Sequence, residues 1–269
     1  DVLRYVDQET GFLENFEHVL PIQSKGCANV NDLLAAIIGN GTNYGLYGMA
    51  NISDRAYDQL KGIQANYLRP ETLNNANDVI NNSVARLAIF KHYNIQEDLI
   101  HASADGQKFE SRLETFKTRY SSKYFGTNKG VSAITLIANH AALNAKVIGS
   151  NEHESHYIFD LLQSNTSEIQ PDVLSTDTHG VNHVNFALLD LFGYTFAPRY
   201  AQFGKVIEEM FKVSENKDQG VTLSLKKPIK TDLIIEHWDT IQRIAISLQE
   251  KSTTQAILVR KLSGYSKNH

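Results

Sequence analysis

The chain has 269 residues, of which 42% are hydrophobic, enough for one or two domains with a sizeable core. The chain has 26 Lys and Arg residues and 30 Asp and Glu residues, a net charge of −4. This balance excludes a protein that binds DNA through a generally basic surface. One cysteine excludes an internal disulfide and fits a reducing cytosol, and no apolar run reaches the roughly 20 residues that span a bilayer. No signal peptide is recognisable, the chain starts without Met, and it ends directly after a helical pattern, so we expect a cytoplasmic piece of a larger protein.

The first part of the chain, residues 1 to about 97, has helical patterns. Asn31 is the predicted N-cap of a helix that Gly39 ends, Ser53 is the predicted cap of the next helix, and Pro70 suits the first position of a longer one. Apolar residues recur along this longer helix at helical spacing: Leu73, Ala76, Val79, Ile80, Val84 and Leu87.

From Leu99 the pattern changes to strands alternating with helices, which predicts an α/β domain. The first strand is expected to end in an Asp-Gly turn, and Gly106 and Gly180 are predicted to turn the chain sharply at positive φ. Beyond residue 200 the pattern is helical again. The predicted strands lie over 99–104, 121–127 and 131–139, at the segment that reaches Asp177, and over 194–197. Asn151 with Glu154 resembles a capping box for a helix that carries Tyr157, Ile158, Leu161 and Leu162. The other predicted elements are a helix over 184–191, a loop over 216–220, and helices over 233–248 and 255–262.

Two of these strands deliver an aspartate at their carboxyl end. Strand alternation places His101, Ser103 and Asp105 on one face, and likewise Ser175 and Asp177. If the two strands are parallel neighbours, the carboxylates meet and can hold a divalent metal. An Asp-Gly pair is also common as a simple turn, and Asp at a strand end as a helix cap, so spacing alone leaves these alternatives open.

The motifs around the aspartates occur in a characteristic order. They are Ser103-Ala-Asp-Gly-Gln-Lys-Phe109, Tyr124-Phe-Gly126 with Gly130-Val131, Ser175-Thr-Asp-Thr-His-Gly180, and Leu191-Phe-Gly-Tyr-Thr-Phe-Ala-Pro-Arg199. Asn40-Gly-Thr-Asn-Tyr-Gly45 with Met49-Ala50 precedes them, and Glu236-His-Trp-Asp239 with Arg243 and Ser247 follows them. This set resembles the transposases of the Tn-three family of replicative, class II bacterial transposons, and it extends over essentially the whole chain.

The resemblance implies a DDE recombinase with a ribonuclease-H-like fold, a mixed sheet flanked by helices in which the first strand pairs beside the fourth. It implies a helical region over 1–97, a catalytic core over 98–200 and the start of a helical insertion over 201–269. The first two catalytic carboxylates match Asp105 and Asp177, which would bind Mg²⁺, with Mn²⁺ able to substitute. The family's third ligand is a Glu in a Leu-Asn-Lys/Arg-Gly-Glu motif that this chain lacks, so we expect the chain alone to be folded but inactive.

By the same resemblance, the full-length protein is a bacterial homodimer that cleaves terminal inverted repeats and joins their 3′-hydroxyls to target DNA. Lys108, Arg112 and Lys123, from a basic stretch near the first aspartate, and Arg199, in the family's Pro-Arg motif, are candidate contacts for DNA phosphates. Two other interpretations stay open: a non-catalytic DNA-binding or assembly module, and a standalone ribonuclease-H-like nuclease.

The ten histidines also raise the question of zinc. His179 and His183 are four residues apart, and His153 and His156 are three apart, but no His-Glu-x-x-His motif is present and cysteine is nearly absent. A zinc hydrolase is therefore not favoured. His101 and His179 are expected near the aspartates as polar neighbours or surface residues.

Overall fold

The computed structural model describes residues 1–23, 27–96, 98–207, 210–212 and 227–264. The chain forms two compact units, the first comprising Asp1–Tyr93, His140–Leu143 and Thr166–Gln170, and the second Asn94–Asn139, Asn144–Asn165 and Pro171–His269. None of the helices in the described ranges is both long and apolar enough to cross a bilayer.

The first unit is helical, as predicted. Its helices are α1 (Val2–Thr10), α2 (Val30–Gly41), α3 (Gly45–Ile52), α4 (Tyr57–Tyr67) and α5 (Pro70–Ala85), joined by 3₁₀ turns at Phe12–Asn15, Pro21–Gln23 and Ala88–Tyr93. One apolar cluster forms its core: Phe12, Leu13, Phe16, Leu33, Leu34 and Ala76.

Helix α2 begins earlier and ends later than predicted. Its cap is Asn29, whose side chain accepts hydrogen bonds from the N–H groups of Asn31 and Asp32. Gly39 lies inside the helix, where a Cβ atom would come within 3.2 Å of Met49 Cβ. This glycine therefore serves the close packing of α2 on α3 rather than helix termination.

The predicted starts of the next two helices have different outcomes. Ser53 ends α3, donating a hydrogen bond to the carbonyl of Met49 at 2.7 Å, and α4 begins four residues later. Pro70 is the first residue of α5, as predicted. Ala76 is buried at the middle of the predicted apolar stripe, but Leu73 is 46% exposed, so the stripe is narrower than the sequence indicated.

All of a six-stranded mixed sheet except the start of its fourth strand belongs to the second unit. Its strands are β1 (His101–Glu110), β2 (Arg119–Tyr120), β3 (Lys129–Ala138), β4 (Ala141–Gly149), β5 (Val173–Thr176) and β6 (Thr195–Phe196). They follow the order β2-β3-β1-β5-β6, with β4 also paired to β3. Strand β1 is antiparallel to β3 and parallel to β5, so the first strand lies beside the strand that leads to Asp177. This is the ribonuclease-H-like arrangement that was expected.

Helices flank this sheet and complete the unit. They are α6 (Ser122–Phe125), α7 (Ile158–Gln163), α8 (His183–Leu191), α9 (Phe203–Ile207), α10 (Thr231–Glu236), α11 (Trp238–Gln249) and α12 (Gln255–Gly264). Further 3₁₀ turns span Glu154–His156 and Thr178–Gly180, and two short strands, β7 (Phe211–Lys212) and β8 (Lys227–Pro228), pair in parallel. The single helix predicted over 233–248 is divided at His237, and the loop predicted over 216–220 lies outside the described residues.

The expected turn at Asp105-Gly106 is wrong, because β1 continues to Glu110. Strand β3 remains hydrogen-bonded to β1 from Ala102 to Glu110, and this pairing overrides the local turn signal. Along the strand Ala102 and Ala104 are buried, whereas Ser103 and Asp105 are exposed. Asp105 thus lies within a long strand, on its exposed face.

Two further strand predictions fail for local reasons. The strand predicted over 121–127 is instead the short helix α6 followed by a turn, since Ser121 O accepts hydrogen bonds from the N–H groups of Tyr124 and Phe125. Strand β4 was not predicted because its hairpin turn is Asn139-His140. Both residues adopt positive φ, 46° and 66°, without the glycine that normally marks such a turn.

Candidate active site

The register of the sheet places Asp105 and Asp177 at adjacent positions. Ser103 pairs with Ser175 and Ala104 with Thr176 in the parallel β1–β5 ladder. Asp105 and Asp177 directly follow the last of these pairs. Neighbouring strands lie about 4.8 Å apart, and paired residues of parallel strands point to the same face. Both aspartates are exposed. The observed register therefore gives the two aspartates neighbouring positions, and their joint role as metal ligands stays a prediction.

Backbone N–H groups hold one oxygen of each carboxylate. Asp105 Oδ1 accepts a hydrogen bond from Gly106 N at 2.8 Å. Asp177 Oδ1 accepts from His179 N at 2.9 Å and from Gly180 N at 3.2 Å, so Asp177 also caps the 3₁₀ turn that follows it. Within the described parts of the chain, the hydrogen bonds of both carboxylates use Oδ1, which leaves Oδ2 of each for a further ligand.

Arg199 lies at the register position next to Asp177, so Asp105, Asp177 and Arg199 form one row across three neighbouring segments of the sheet. Leu174 pairs with Phe196 in the parallel β5–β6 ladder, and the hydrogen bond from Arg199 N to Thr176 O, 2.8 Å, continues this register beyond β6. The Arg199 side chain is exposed, and no carboxylate of the described residues lies within 4.0 Å of it. The sheet thus brings one unpaired guanidinium to the strand next to Asp177.

The two glycines beside the aspartates are required for close approach, and the predicted positive φ is wrong for both. A Cβ atom on Gly106 would lie 2.1 Å from Cδ of Glu154. One on Gly180 would lie 2.4 Å from Cβ of Thr176. The glycines therefore let neighbouring groups pack directly against the backbone on either side of the aspartates.

Lys108 lies on the other face of β1 from Asp105. The Glu154 carboxylate covers Gly106 on that face, accepts a hydrogen bond from Ser132 Oγ at 3.1 Å, and lies 3.6 Å from Lys108 Nζ. Lys108 Nζ is also 4.8 Å from the centre of the Tyr124 ring. Its charge is therefore engaged within the protein, on the face opposite the aspartates.

The other two predicted DNA contacts are more accessible. Arg112 is exposed in the loop between β1 and β2, and no hydrogen bond or ion pair joins it to another described residue. Lys123 lies on α6 with Nζ 4.9 Å from the centre of the Tyr124 ring. Of the four predicted basic residues, the structure therefore brings Arg199 alone into the row of the carboxylates.

A buried chain of amide hydrogen bonds supports the Asp177 turn and was not predicted. Asn185 Nδ2 donates to the carbonyl of Gly180 at 2.8 Å, and Asn185 Oδ1 accepts from the side-chain amide of Gln255. Gln255 also donates to Ser155 O at 3.1 Å and accepts from Phe159 N at 2.8 Å. Asn185 and Gln255 are both 0% exposed. The only sequence signal was a polar residue within each of two apolar helical patterns.

Asp160 fixes the start of helix α12. Its carboxylate accepts hydrogen bonds from Gln255 N at 2.7 Å and Ala256 N at 3.4 Å, and it lies 3.9 Å from Lys146 Nζ. The side chain is 4% exposed. Burial raises the pKa of Asp160 above its usual value, although the N–H groups and the Lys146 ammonium oppose this effect.

The histidines form local contacts. His101 Nε2 lies 2.6 Å from Ser175 Oγ, which donates to Ala197 O at 2.7 Å, and His179 is exposed beside Asp177. The rings of His153 and His156 are 5.5 Å apart. In the described ranges no three His, Cys, Asp or Glu side chains come together in an arrangement that could hold a metal ion.

Comparison with known proteins gives a consistent assignment. The sequence model of the Tn3 transposase DDE domain matches residues 1–269. The chain is 29% identical over 276 residues to the transposase of transposon Tn3926 from Escherichia coli, and equally to that of Tn501 from Pseudomonas aeruginosa, covering 100% of this chain and 27% of each relative. It is 27% identical over 270 residues to the transposase of transposon gamma-delta from Escherichia coli strain K12, covering 97% of this chain and 26% of that protein.

The chain thus spans about a quarter of the length of these relatives. Among solved structures, the piggyBac transposase synaptic complex with hairpin DNA matches 94% of this chain and 64% of that chain, with a TM-score of 0.37 and 12% identity. The family match over the whole sequence confirms the resemblance drawn from the motifs. The chain belongs to the Tn3 transposase DDE domain family.

Proposed function

We propose that the full-length protein is a DNA transposase, which cleaves transposon ends and joins the exposed 3′-hydroxyls to target DNA, with Asp105 and Asp177 as metal ligands. The observation that carries this proposal is the adjacent position of the two aspartates in the β1–β5 ladder. The relatives, each named as a transposase, support the same activity.

The donor set suits a hard divalent cation. Two exposed carboxylates on neighbouring strands, each with Oδ2 outside the described hydrogen bonds, offer the oxygen ligands that Mg²⁺ prefers, and Mn²⁺ accepts the same ligands. When bound, such ions activate a water or a 3′-hydroxyl and stabilise the leaving oxygen of a phosphodiester. The N–H groups of Gly106, His179 and Gly180 fix the orientation of both carboxylates.

DNA reaches this site along an exposed surface. Arg199 would contact a phosphate next to the cleaved bond, and Arg112 and Lys123 would contact phosphates further away. Lys108 contributes more weakly, because Glu154 and Tyr124 already engage its ammonium. The third carboxylate of the family would come from outside this chain, so the 269-residue chain alone should not cleave DNA. The full-length protein would act as a homodimer in the bacterial cytoplasm.

Single substitutions in the full-length protein test the assignment. Asp105→Asn and Asp177→Asn should each abolish cleavage and joining in Mg²⁺, because each removes a charged metal ligand. Binding to transposon ends, measured by electrophoretic mobility shift, should be largely retained. Asp190→Asn, at an exposed position on α8, is the matched control and should be fully active.

Three outcomes would contradict the proposal. Near-normal strand transfer by either active-site variant would show that these aspartates are not the metal ligands. End binding without cleavage by the unaltered full-length protein would favour a non-catalytic DNA-binding module. Cleavage without joining would favour a standalone nuclease.

A further inference from the structure

The loop between β1 and β2, residues 111–118, presents two large apolar side chains to solvent. Phe116 is 92% exposed and Leu113 is 77% exposed. The loop is nevertheless held in shape by its own polar groups. Ser111 Oγ donates to Leu113 O at 2.7 Å, and Thr118 Oγ1 donates to Thr115 O at 2.9 Å and accepts from Thr115 N at 3.0 Å. The polar groups therefore face the loop backbone, while the apolar side chains face outward.

The surroundings of this loop are positively charged in a chain that is negative overall. Residues 108–129 contain six Lys or Arg residues and two Glu residues, whereas the whole chain carries a net charge of −4. Both Glu residues are engaged: Glu110 accepts from Asn128 Nδ2 at 2.9 Å, and Glu114 lies 2.5 Å from Lys129 Nζ. The segment thus has an excess of cations, suited to a polyanion.

The two cations beside Phe116 are bound to neutral carbonyls. Arg119 Nη1 donates to Phe116 O and Thr118 O, both at 2.8 Å, and Lys117 Nζ donates to Val147 O at 2.6 Å. Neither has a carboxylate of the described residues within 4.0 Å. Carbonyl oxygens therefore hold both cations beside Phe116, while the Glu152 carboxylate attracts Arg119 from beyond 4.0 Å.

We propose that loop 111–118 is a DNA-binding element in which Phe116 stacks on an unpaired base while Arg119 and Lys117 contact the flanking phosphates. The inference rests on the proposed transposase function. An aromatic face amid fixed positive charges is the combination that binds single-stranded nucleic acid, since every base offers a face for stacking. Five residues of strand separate Asp105 from Glu110, about 17 Å at 3.3–3.4 Å per residue. This span, which ends at the start of the loop, equals about five base steps of 3.4 Å, so we expect the stacked base at about that separation from the cleaved bond.

Fluorescence of 2-aminopurine, placed at successive positions in a duplex of the transposon's own end, tests the proposal with the full-length protein. A fluorescence change should occur at one position about three to seven nucleotides from the cleavage site. Phe116→Ala should lose this change and bind the DNA about 5- to 150-fold more weakly. Phe116→Trp should retain both, whereas Phe116→Leu should behave like the Ala variant. Tyr47→Ala, at a 71% exposed aromatic residue of the first unit, should change neither measurement.

Several results would overturn the inference. Wild-type affinity and fluorescence in Phe116→Ala would exclude stacking, and equal behaviour of the Leu and Trp variants would indicate simple apolar packing. A changed oligomeric state with unchanged DNA binding would show that protein covers the loop. Asp105→Asn separates this inference from the proposed function, because it should lose cleavage yet keep the fluorescence change. Persistent cleavage in Asp105→Asn would refute the active site instead.

Discussion

Asp160→Ala should destabilise the chain by about 2–3 kcal/mol. The carboxylate caps helix α12, and removal of such a cap typically costs about 1 kcal/mol and up to about 2. Here the N–H groups of Gln255 and Ala256 are buried, and leaving a buried donor without a partner costs about 1–3 kcal/mol. Both figures describe the same hydrogen bonds, so they are not added. We take the upper part of these ranges for the loss of stability, because the Asp160 side chain is 4% exposed and water cannot replace its hydrogen bonds.

Urea denaturation followed by circular dichroism measures this loss. With a denaturant slope of roughly 2–3 kcal/mol per molar, the unfolding midpoint should fall by about 1 M. Asp160→Asn is the matched control, since its side-chain oxygen can still accept from Gln255 N, and it should remain within about 1 kcal/mol of the unaltered chain. An Ala variant that unfolds at the wild-type urea concentration would refute the argument.

Comparison of Asp160→Asn with the wild type at different pH values reports the direction of the Asp160 pKa shift. Because burial raises this pKa, the folded state holds the proton to higher pH than the unfolded state. The contribution of Asp160 to stability is therefore fully present below its ordinary pKa and is lost as pH rises through the raised value. Asp160→Asn should gain stability relative to the wild type across that window. If the difference in unfolding free energy between Asp160→Asn and the wild type is constant from pH 4 to pH 8, the assigned direction of the pKa shift is wrong.

Two further predictions concern the surroundings of the aspartates. Gly106→Ala should cost about 1–2 kcal/mol, because the new Cβ displaces the half-buried Glu154 carboxylate, and adding Glu154→Ala should recover part of the loss in a double-mutant cycle by urea denaturation. Full additivity of the two changes would disprove that contact. Arg199→Ala in the full-length protein should weaken DNA binding and reduce the slope of log affinity against log salt by about one, whereas Arg86→Ala, which removes a guanidinium paired with Glu168, should leave the slope unchanged.

The sequence predicted the parts of the second unit that depend on periodicity and motif order. Alternation placed Ser103 and Asp105 on one face, and the motif around Asp177 placed that residue at the end of a neighbouring strand, directly after the observed pair Ala104 and Thr176. The strand's length was not predictable from the Asp-Gly pair, because it is set by nine residues of pairing with β3, a partner about 30 residues away. Local turn chemistry carries no information about such a partner.

The supporting residues were not predictable for a similar reason. Asn185 and Gln255 are 70 positions apart, and each resembles an ordinary polar residue in a helix until the fold buries both. The same applies to Lys108, whose positive charge predicted a DNA contact. Only the folded sheet shows that Glu154 and Tyr124 engage it on the face away from Asp105. The division into segments 1–97, 98–200 and 201–269 stays a prediction.

The hydrogen bond from Phe159 N to Gln255 Oε1 joins residues 96 positions apart, and this separation has a consequence for biosynthesis. At about 5–20 residues per second, a ribosome needs roughly 5–20 s to add the residues between them. For the larger part of that interval, the 70 residues after Asn185, this asparagine is in the growing chain while its buried partner Gln255 does not yet exist, so the turn that carries Asp177 lacks its final support. The order of synthesis therefore makes the Asp177 turn one of the last features of this unit to become fixed, well after the strands on which both aspartates depend.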